Sequence, residues 1–162
     1  MSGILRPSGG GGGGAPTGAA GGDLGGTFPN PTVEKSRYLL RYTVSGGVPN
    51  GGTQYLRLGQ NVFATAAGEI LTAAATLIGI SVNVDIADGT RDYDVDVVTD
   101  PSGAPTAIGS LALSSAVRSA KRRDLAVAIA ADAEIGVRLV RTAGVGPSAF
   151  DEINVLVEVS VP

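Results

Sequence analysis

A two-residue alternation of large aliphatic side chains restricts this chain more than any other feature. Ile78, Ile80, Val82, Val84 and Ile86 share one parity, while Gly79, Ser81, Asn83 and Asp85 occupy the other, the pattern of a long strand with one buried face. The same alternation recurs at Tyr93, Val95 and Val97 around Asp94 and Asp96, and at Leu125, Val127 and Ile129 around Ala126, Ala128 and Ala130. It returns at Ile135, Val137 and Leu139, and again at Ile153, Val155, Val157, Val159 and Val161. A helix, with 3.6 residues per turn, would scatter these side chains around its surface. Turn-forming residues separate the runs at Val48-Pro49-Asn50-Gly51-Gly52, Asp88-Gly89, Asp100-Pro101-Ser102-Gly103 and Gly144-Val145-Gly146-Pro147. Roughly eight strands over residues 37–162 predict an all-β fold, an antiparallel jelly roll or sandwich.

Two stretches are patterned less sharply. Ala64 to Ala75 has helical propensity, but it enters the long strand without a cap and is read as extended or irregular. Leu113 to Lys121, with Ser114, Ser115 and Ser119, reads as either a short helix or a polar loop.

Ahead of the alternating region the chain changes character. Of the 25 glycines, 12 precede Thr27, and Gly9, Gly10, Gly11, Gly12, Gly13 and Gly14 are consecutive. Such a run loses the most backbone entropy on ordering and buries no side chain in return. Residues 1–22 are therefore expected to have no structure of their own. They are either a flexible tether or an arm that orders against a partner, to which glycine allows close backbone approach. Ile4 and Leu5 are the substantial apolar side chains such an arm would bury.

Residue types that are missing exclude much chemistry. Without His or Cys there is no Ser/His/Asp triad, thiol nucleophile, disulfide, or imidazole or thiolate metal site. The chain is therefore not expected to be an enzyme, and no cofactor is expected. Asp92-Tyr93-Asp94-Val95-Asp96 has the 1, 3, 5 carboxylate spacing of a calcium loop, but Val97 stands where such a loop needs Gly and Gly103 where it needs Glu. Asp94 and Asp96 are instead placed on a solvated strand face, opposite Arg118, Arg122, Arg123 or Arg138 on neighbouring strands or on another subunit. Carboxylate pairs can cleave glycosidic bonds, but seven aromatic residues and no Trp give little platform for a sugar. Gly144 to Ala149 lacks the Lys of a phosphate loop, and Lys121-Arg122-Arg123 is read as a solvated loop. A net charge of −3 and a pI near 4.8 provide no basic field for nucleic acid. The first residues lack the apolar core of a secretory signal. The run Leu71 to Val82 is shorter than the roughly 20 residues that span a bilayer, so no membrane insertion and synthesis in a cytoplasm are expected.

The Ala126, Ala128 and Ala130 face carries two readings. It can meet another backbone closely, as at a three-fold axis, or it can be thinly covered and near solvent.

The segment Gly21-Gly22-Asp23-Leu24-Gly25-Gly26-Thr27-Phe28-Pro29-Asn30-Pro31-Thr32-Val33 resembles one that recurs in tail-fibre, head-fibre and other surface structural proteins of tailed bacteriophages. Pro29 and Pro31 fix φ and bias Phe28 and Asn30 to extended backbone, so it reads as a stiff, non-sheet rod end, with Asp23 capping a local turn and Leu24 and Phe28 left to bury. In such proteins the segment sits between an attachment arm and a trimeric β domain. Residues 37–162 are similar in strand pattern to the trimeric jelly rolls that end phage and spore fibres. The resemblance implies an anchoring arm over 1–22, a collar over 23–36 and a β domain over 37–162, assembled as a homotrimer on the virion surface. The partner would be a capsid, neck or tail structural protein. The alternative is a tip that binds a host-surface glycan or receptor, through loops 48–52, 87–91 and 144–148.

Overall fold

In the computed structural model, which describes residues 18–19, 24–25, 27–28, 32–33, 35–45, 53–59, 63–64, 68–85, 88–144 and 152–162, every regular element is a β-strand. The chain divides into two units, residues 1–35 and 36–162.

In the first unit, β1 (Gly18–Ala19) pairs with β3 (Thr27–Phe28), and β2 (Leu24–Gly25) with β4 (Thr32–Val33), both antiparallel. This corrects the non-sheet rod and, at Gly18–Ala19 alone, the expectation of a chain without structure of its own; residues 1–17 and 20–22 lie outside the described residues. Proline has no N–H to give a ladder, but Thr27, Phe28, Thr32 and Val33 on either side of Pro29 and Pro31 keep theirs and pair. Ile4, Leu5, the hexaglycine run, Asp23, Pro29, Asn30 and Pro31 lie outside the described residues.

The second unit contains β5 (Ser36–Ser45), β6 (Thr53–Leu56), β7 (Phe63–Ala64), β8 (Glu69–Leu71), β9 (Ala75–Val84), β10 (Tyr93–Thr99), β11 (Thr106–Leu113), β12 (Ser119–Arg122), β13 (Val127–Ile129), β14 (Ala133–Arg141) and β15 (Glu152–Val161). One sheet has the order β12-β9-β15-β5, with β13 following β12 along the same side of β9. The other has the order β11-β10-β14-β6-β7, with β8 sharing a side of β14 with β6. All of these pairings are antiparallel. The result is a β-sandwich of the jelly-roll class.

The alternation explains which face of each strand is buried. Ile153, Val155, Val157 and Val159 of β15 point inward, as do Val95 and Val97 of β10 and Ile135, Val137 and Leu139 of β14. Leu77, Ile80, Val82 and Val84 of β9 continue the inward face beside β15 in the same sheet. The core is aliphatic apart from Tyr42 and Tyr93, consistent with two sheets that pack closely on small branched residues.

Three local expectations are revised. Glu158 faces Gly79 and Val159 faces Leu77, so Ile78 is the extra residue of a β-bulge. The bulge reverses the parity of β9: Ala75 and Leu77 are buried before it, Ile80, Val82 and Val84 after it, and Ile78 is only half-buried. Between Leu113 and Lys121 the chain forms a turn, closed by Val117 N–H donating to Ser114 O at 3.1 Å, and then enters β12. Lys121 and Arg122 consequently lie on a strand rather than in a loop, because Ser81 and Ile80 of β9 offer them a ladder. From Ala64 to Ala75 the described residues are strand or irregular, as expected of a stretch with no helix cap.

Candidate interaction surface

A sandwich buries one face of each sheet and leaves the other to be explained. On the β12-β9-β15-β5 sheet, strand register arranges the outer face in rows. Arg41, Leu156, Ser81 and Lys121 form one row, and Leu39, Glu158 and Gly79 form the next, with Arg123 just beyond β12 at the same level. Leu39 is 65% exposed, and Leu156 is half-buried in the middle of the sheet. Two shallow depressions of about 270 and 550 Å³ lie on this face and meet at Ser81 and Leu156.

Part of the charge on the face is internally matched. Arg41 donates to Asn154 Oδ1 from Nη2 (2.7 Å) and Nε (3.2 Å), and Asn154 Nδ2 donates to Glu152 Oε1 at 2.7 Å. Arg122, opposite inward-facing Ile80, is not on this face; its Nε lies 3.1 Å from Asp124 Oδ1. Glu158 Oε1 is 3.7 Å from Arg37 Nη1, beyond hydrogen-bond length. Lys121 and Arg123 are exposed at the β12 rim.

The aspartates behave differently from the solvated row the sequence suggested. Asp96 is only 6% exposed and accepts a hydrogen bond at 2.9 Å from Nε of Arg138, the residue directly across the ladder on β14. It is buried because it sits on a central strand, where a guanidinium one strand away replaces water as its partner. Burial alone would lower the Arg138 pKa, but hydrogen bonds to Asp96 and Tyr55 and the charge of Asp96 outweigh it and raise it. Asp92 accepts the Ser115 N–H at 2.7 Å, and among the described residues no three carboxylates converge as a metal site would require.

Asp88 is also buried. Its carboxylate accepts hydrogen bonds from Thr90 Oγ1 (2.9 Å), Arg91 Nη1 (2.8 Å) and Tyr93 OH (3.3 Å). Desolvation, together with the Asp88 charge and hydrogen bond, pushes the Tyr93 phenol up to about 12. This cluster ties residues 88–91 of the 87–91 loop, one of those considered for recognition, onto the start of β10, while Ala87 lies outside the described residues. Of the other two, 48–52 lies outside the described residues, as do 145–148, while Gly144 has a φ of +80°.

Ala126, Ala128 and Ala130 are exposed. Ala128 faces Thr76 in the β13–β9 ladder, and Thr76 faces Ser160, so the alanines continue the outer face that holds Leu39 and Leu156. Sequence reasoning did not mark those two leucines. Their signal was a broken alternation: Leu39 and Leu40 put apolar groups on both parities of β5, and Leu156 interrupts the polar parity of β15 between Asn154 and Glu158.

No family model and no curated protein matches the chain. Among solved structures it is similar to one described as the capsid asymmetric unit of cyanophage Pam1, at 15% identity and a TM-score of 0.44, over 80% of this chain and 86% of that one. It is also similar to a chain of the infectious bursal disease virus Gx strain, at 15% identity and a TM-score of 0.40, over 90% of this chain and 37% of that one.

Proposed function

We propose that this chain is a structural protein of a tailed-bacteriophage virion, without enzymatic activity, that acts by assembly and display. Residues 1–22 anchor it to a capsid, neck or tail protein, residues 23–36 gather three chains, and the sandwich projects outward as a short fibre or decoration. The observation that carries this reading is the Gly21–Val33 segment, standing directly ahead of an antiparallel sandwich. The buried carboxylates are consistent with it: Asp88 and Asp96 are held in ion pairs with Arg91 and Arg138, an arrangement suited to stability rather than proton transfer. A host-surface glycan as ligand draws less support, since Tyr42, Tyr55 and Tyr93 are buried and Tyr38 alone of the four tyrosines is exposed.

At about 1.5–3 kcal/mol for each fully buried side chain, Ile4, Leu5, Leu24 and Phe28 would contribute about 6–12 kcal/mol, most of it offset by the backbone entropy lost in ordering a glycine-rich chain at about 1–2 kcal/mol per residue. Durable attachment then requires several arms acting together. Deletion of residues 1–22 tests the reading: the truncated sandwich is expected to fold but to be missing from purified particles. Normal incorporation of the truncated chain would refute the anchoring role.

A further inference from the structure

We infer that the open edge of β5 is a docking site for an extended strand of a partner protein, one that carries carboxylates on its outer face and apolar side chains between them. The inference goes beyond the virion reading and does not depend on it. β5 ends the β12-β9-β15-β5 order, and among the described residues no strand lies beyond it. Its pairing with β15 runs without a break from Ser36 to Ser45, so its backbone groups alternate strictly between β15 and the open side. The phase is fixed at Arg41, whose carbonyl accepts the Gly59 N–H at 3.3 Å on the side away from β15, where Leu58 makes an isolated bridge to Tyr42. Counting back by two, the N–H and C=O of Leu39 also face the open side.

The second observation is what that edge displays. Tyr38 and Leu39 are 53% and 65% exposed, and they lie on opposite faces of the strand. Leu39 shares the outer face with Arg37 and Arg41, while Tyr38 has the parity of Tyr42 and Val44, which turn into the core. Sheets commonly blunt an edge with charge, proline or a bulge, yet the middle of this one is apolar on both faces. An added strand would cover both side chains and pair with the Leu39 N–H and C=O. Strand addition draws its affinity from such main-chain hydrogen bonds and its specificity from side chains at alternate positions.

Charge identifies the occupant. Arg37 and Arg41 stand on the outer side of the edge, and Arg57 joins them because its neighbour Leu58 packs on the core and alternation turns Arg57 the other way. Arg37 remains 60% exposed in its 3.7 Å contact with Glu158, and Arg41 is bonded to the neutral amide oxygen of Asn154. A second copy of β5 fits poorly here. Antiparallel pairing centred on Leu39 would set Arg37 opposite Arg41 twice, and like charges directly opposite one another destabilise paired strands. A strand of the pattern acidic-apolar-apolar-apolar-acidic, run antiparallel, instead sets its carboxylates opposite Arg41 and Arg37 and its central residue opposite Leu39, with the remaining two opposite Leu40 and Tyr38.

A labelled peptide with the core Glu-Val-Leu-Val-Glu between Gly-Ser flanks, titrated with the full chain and followed by fluorescence anisotropy, tests this. Saturable binding is expected. Hydrogen exchange of the Leu39 amide is expected to slow in the complex, while that of Leu40, already directed at β15, does not change. Leu39→Pro removes an N–H that the fold leaves at an edge, where proline is tolerated, so it is expected to abolish binding with the β-sheet circular dichroism retained. Arg37→Glu combined with Arg41→Glu is expected to weaken binding about tenfold and to take up the peptide with Lys in place of both Glu, a recovery that a folding defect would not give. No binding at millimolar peptide, equal binding of the Glu and Lys peptides by the wild-type chain, or unchanged exchange at Leu39 would overturn the inference. A wild-type dimer in light scattering that Leu39→Pro converts to monomer would overturn the choice of occupant, because a second copy would then fill the edge.

Discussion

Removal of the Asp96 carboxylate is the most informative perturbation of the fold. Asp96 sits directly across from Arg138, with Nε and Oδ2 2.9 Å apart, and their side chains are 9% and 22% exposed. A charge-assisted hydrogen bond contributes about 1.5–3 kcal/mol, and stranding one member of a fully buried pair costs about 3–5 kcal/mol. Arg138 keeps about a fifth of its surface in water, which offsets part of its loss, so Asp96→Ala is expected to cost about 2–3 kcal/mol. For a unit the size of residues 36–162, this corresponds to a fall in Tm of about 10 °C. Replacing both partners with Leu is expected to recover most of that loss, because no unpaired charge remains. Thermal unfolding of Asp96→Leu, Arg138→Leu and the double Leu variant gives the coupling energy directly. If Asp96→Ala unfolds with wild type, or if the double variant loses the sum of the two singles, the pair is not coupled and the reasoning fails.

Other outcomes follow from the same structure. A Cβ on Gly109 would lie 2.9 Å from Leu77 Cδ2 and 3.0 Å from Ile80 Cδ1, so Gly109→Val is expected to overpack the core and cost about 1–3 kcal/mol in denaturant titration. Gly144→Ala is expected to be worse than Gly89→Ala: both positions have positive φ, but the Gly144 Cβ would stand 2.4 Å from the Thr90 carbonyl oxygen while Gly89 has open space. Equal losses would show that backbone conformation alone matters there. The Tyr93 phenol is raised from 10.0 to about 12, so the folded state holds its proton more tightly than the unfolded chain. Its stabilisation is complete below pH 10 and is lost as pH rises toward 12. Tyr93→Phe is expected to flatten that part of the stability curve, and an unchanged slope would assign the alkaline loss to another group.

The strands were legible wherever one face of the sheet is buried and alternation is strict. β15 shows this best, since Ile153, Val155, Val157 and Val159 are all inward. The bulge at Ile78 was not legible: Ile78 and Ile80 have the same parity, and only pairing with β15 reveals that one residue is extra. Nor was the reversal at Asp132, which adopts a φ of 59° with no Gly or Pro between Ala130 and Ala133 to announce it. The candidate surface was half visible. Ala126, Ala128 and Ala130 stood out as a small-residue face, while Leu39 and Leu156 were hidden among apolar residues whose inward or outward placement depends on register.

The sequence by itself determined the all-β class, the separation of a glycine-rich segment from an alternating one, and the loss of His and Cys chemistry. Each of these is a local or compositional property, fixed by side-chain period, backbone entropy or the absence of a functional group. Tertiary structure decided which strands are neighbours, and that in turn buried Asp96 against Arg138 and aligned Glu158, Gly79 and Arg123 in one row. Such placements join residues far apart in the chain. They follow from the pairing of whole strands, in which a shift of one residue turns every side chain to the opposite face.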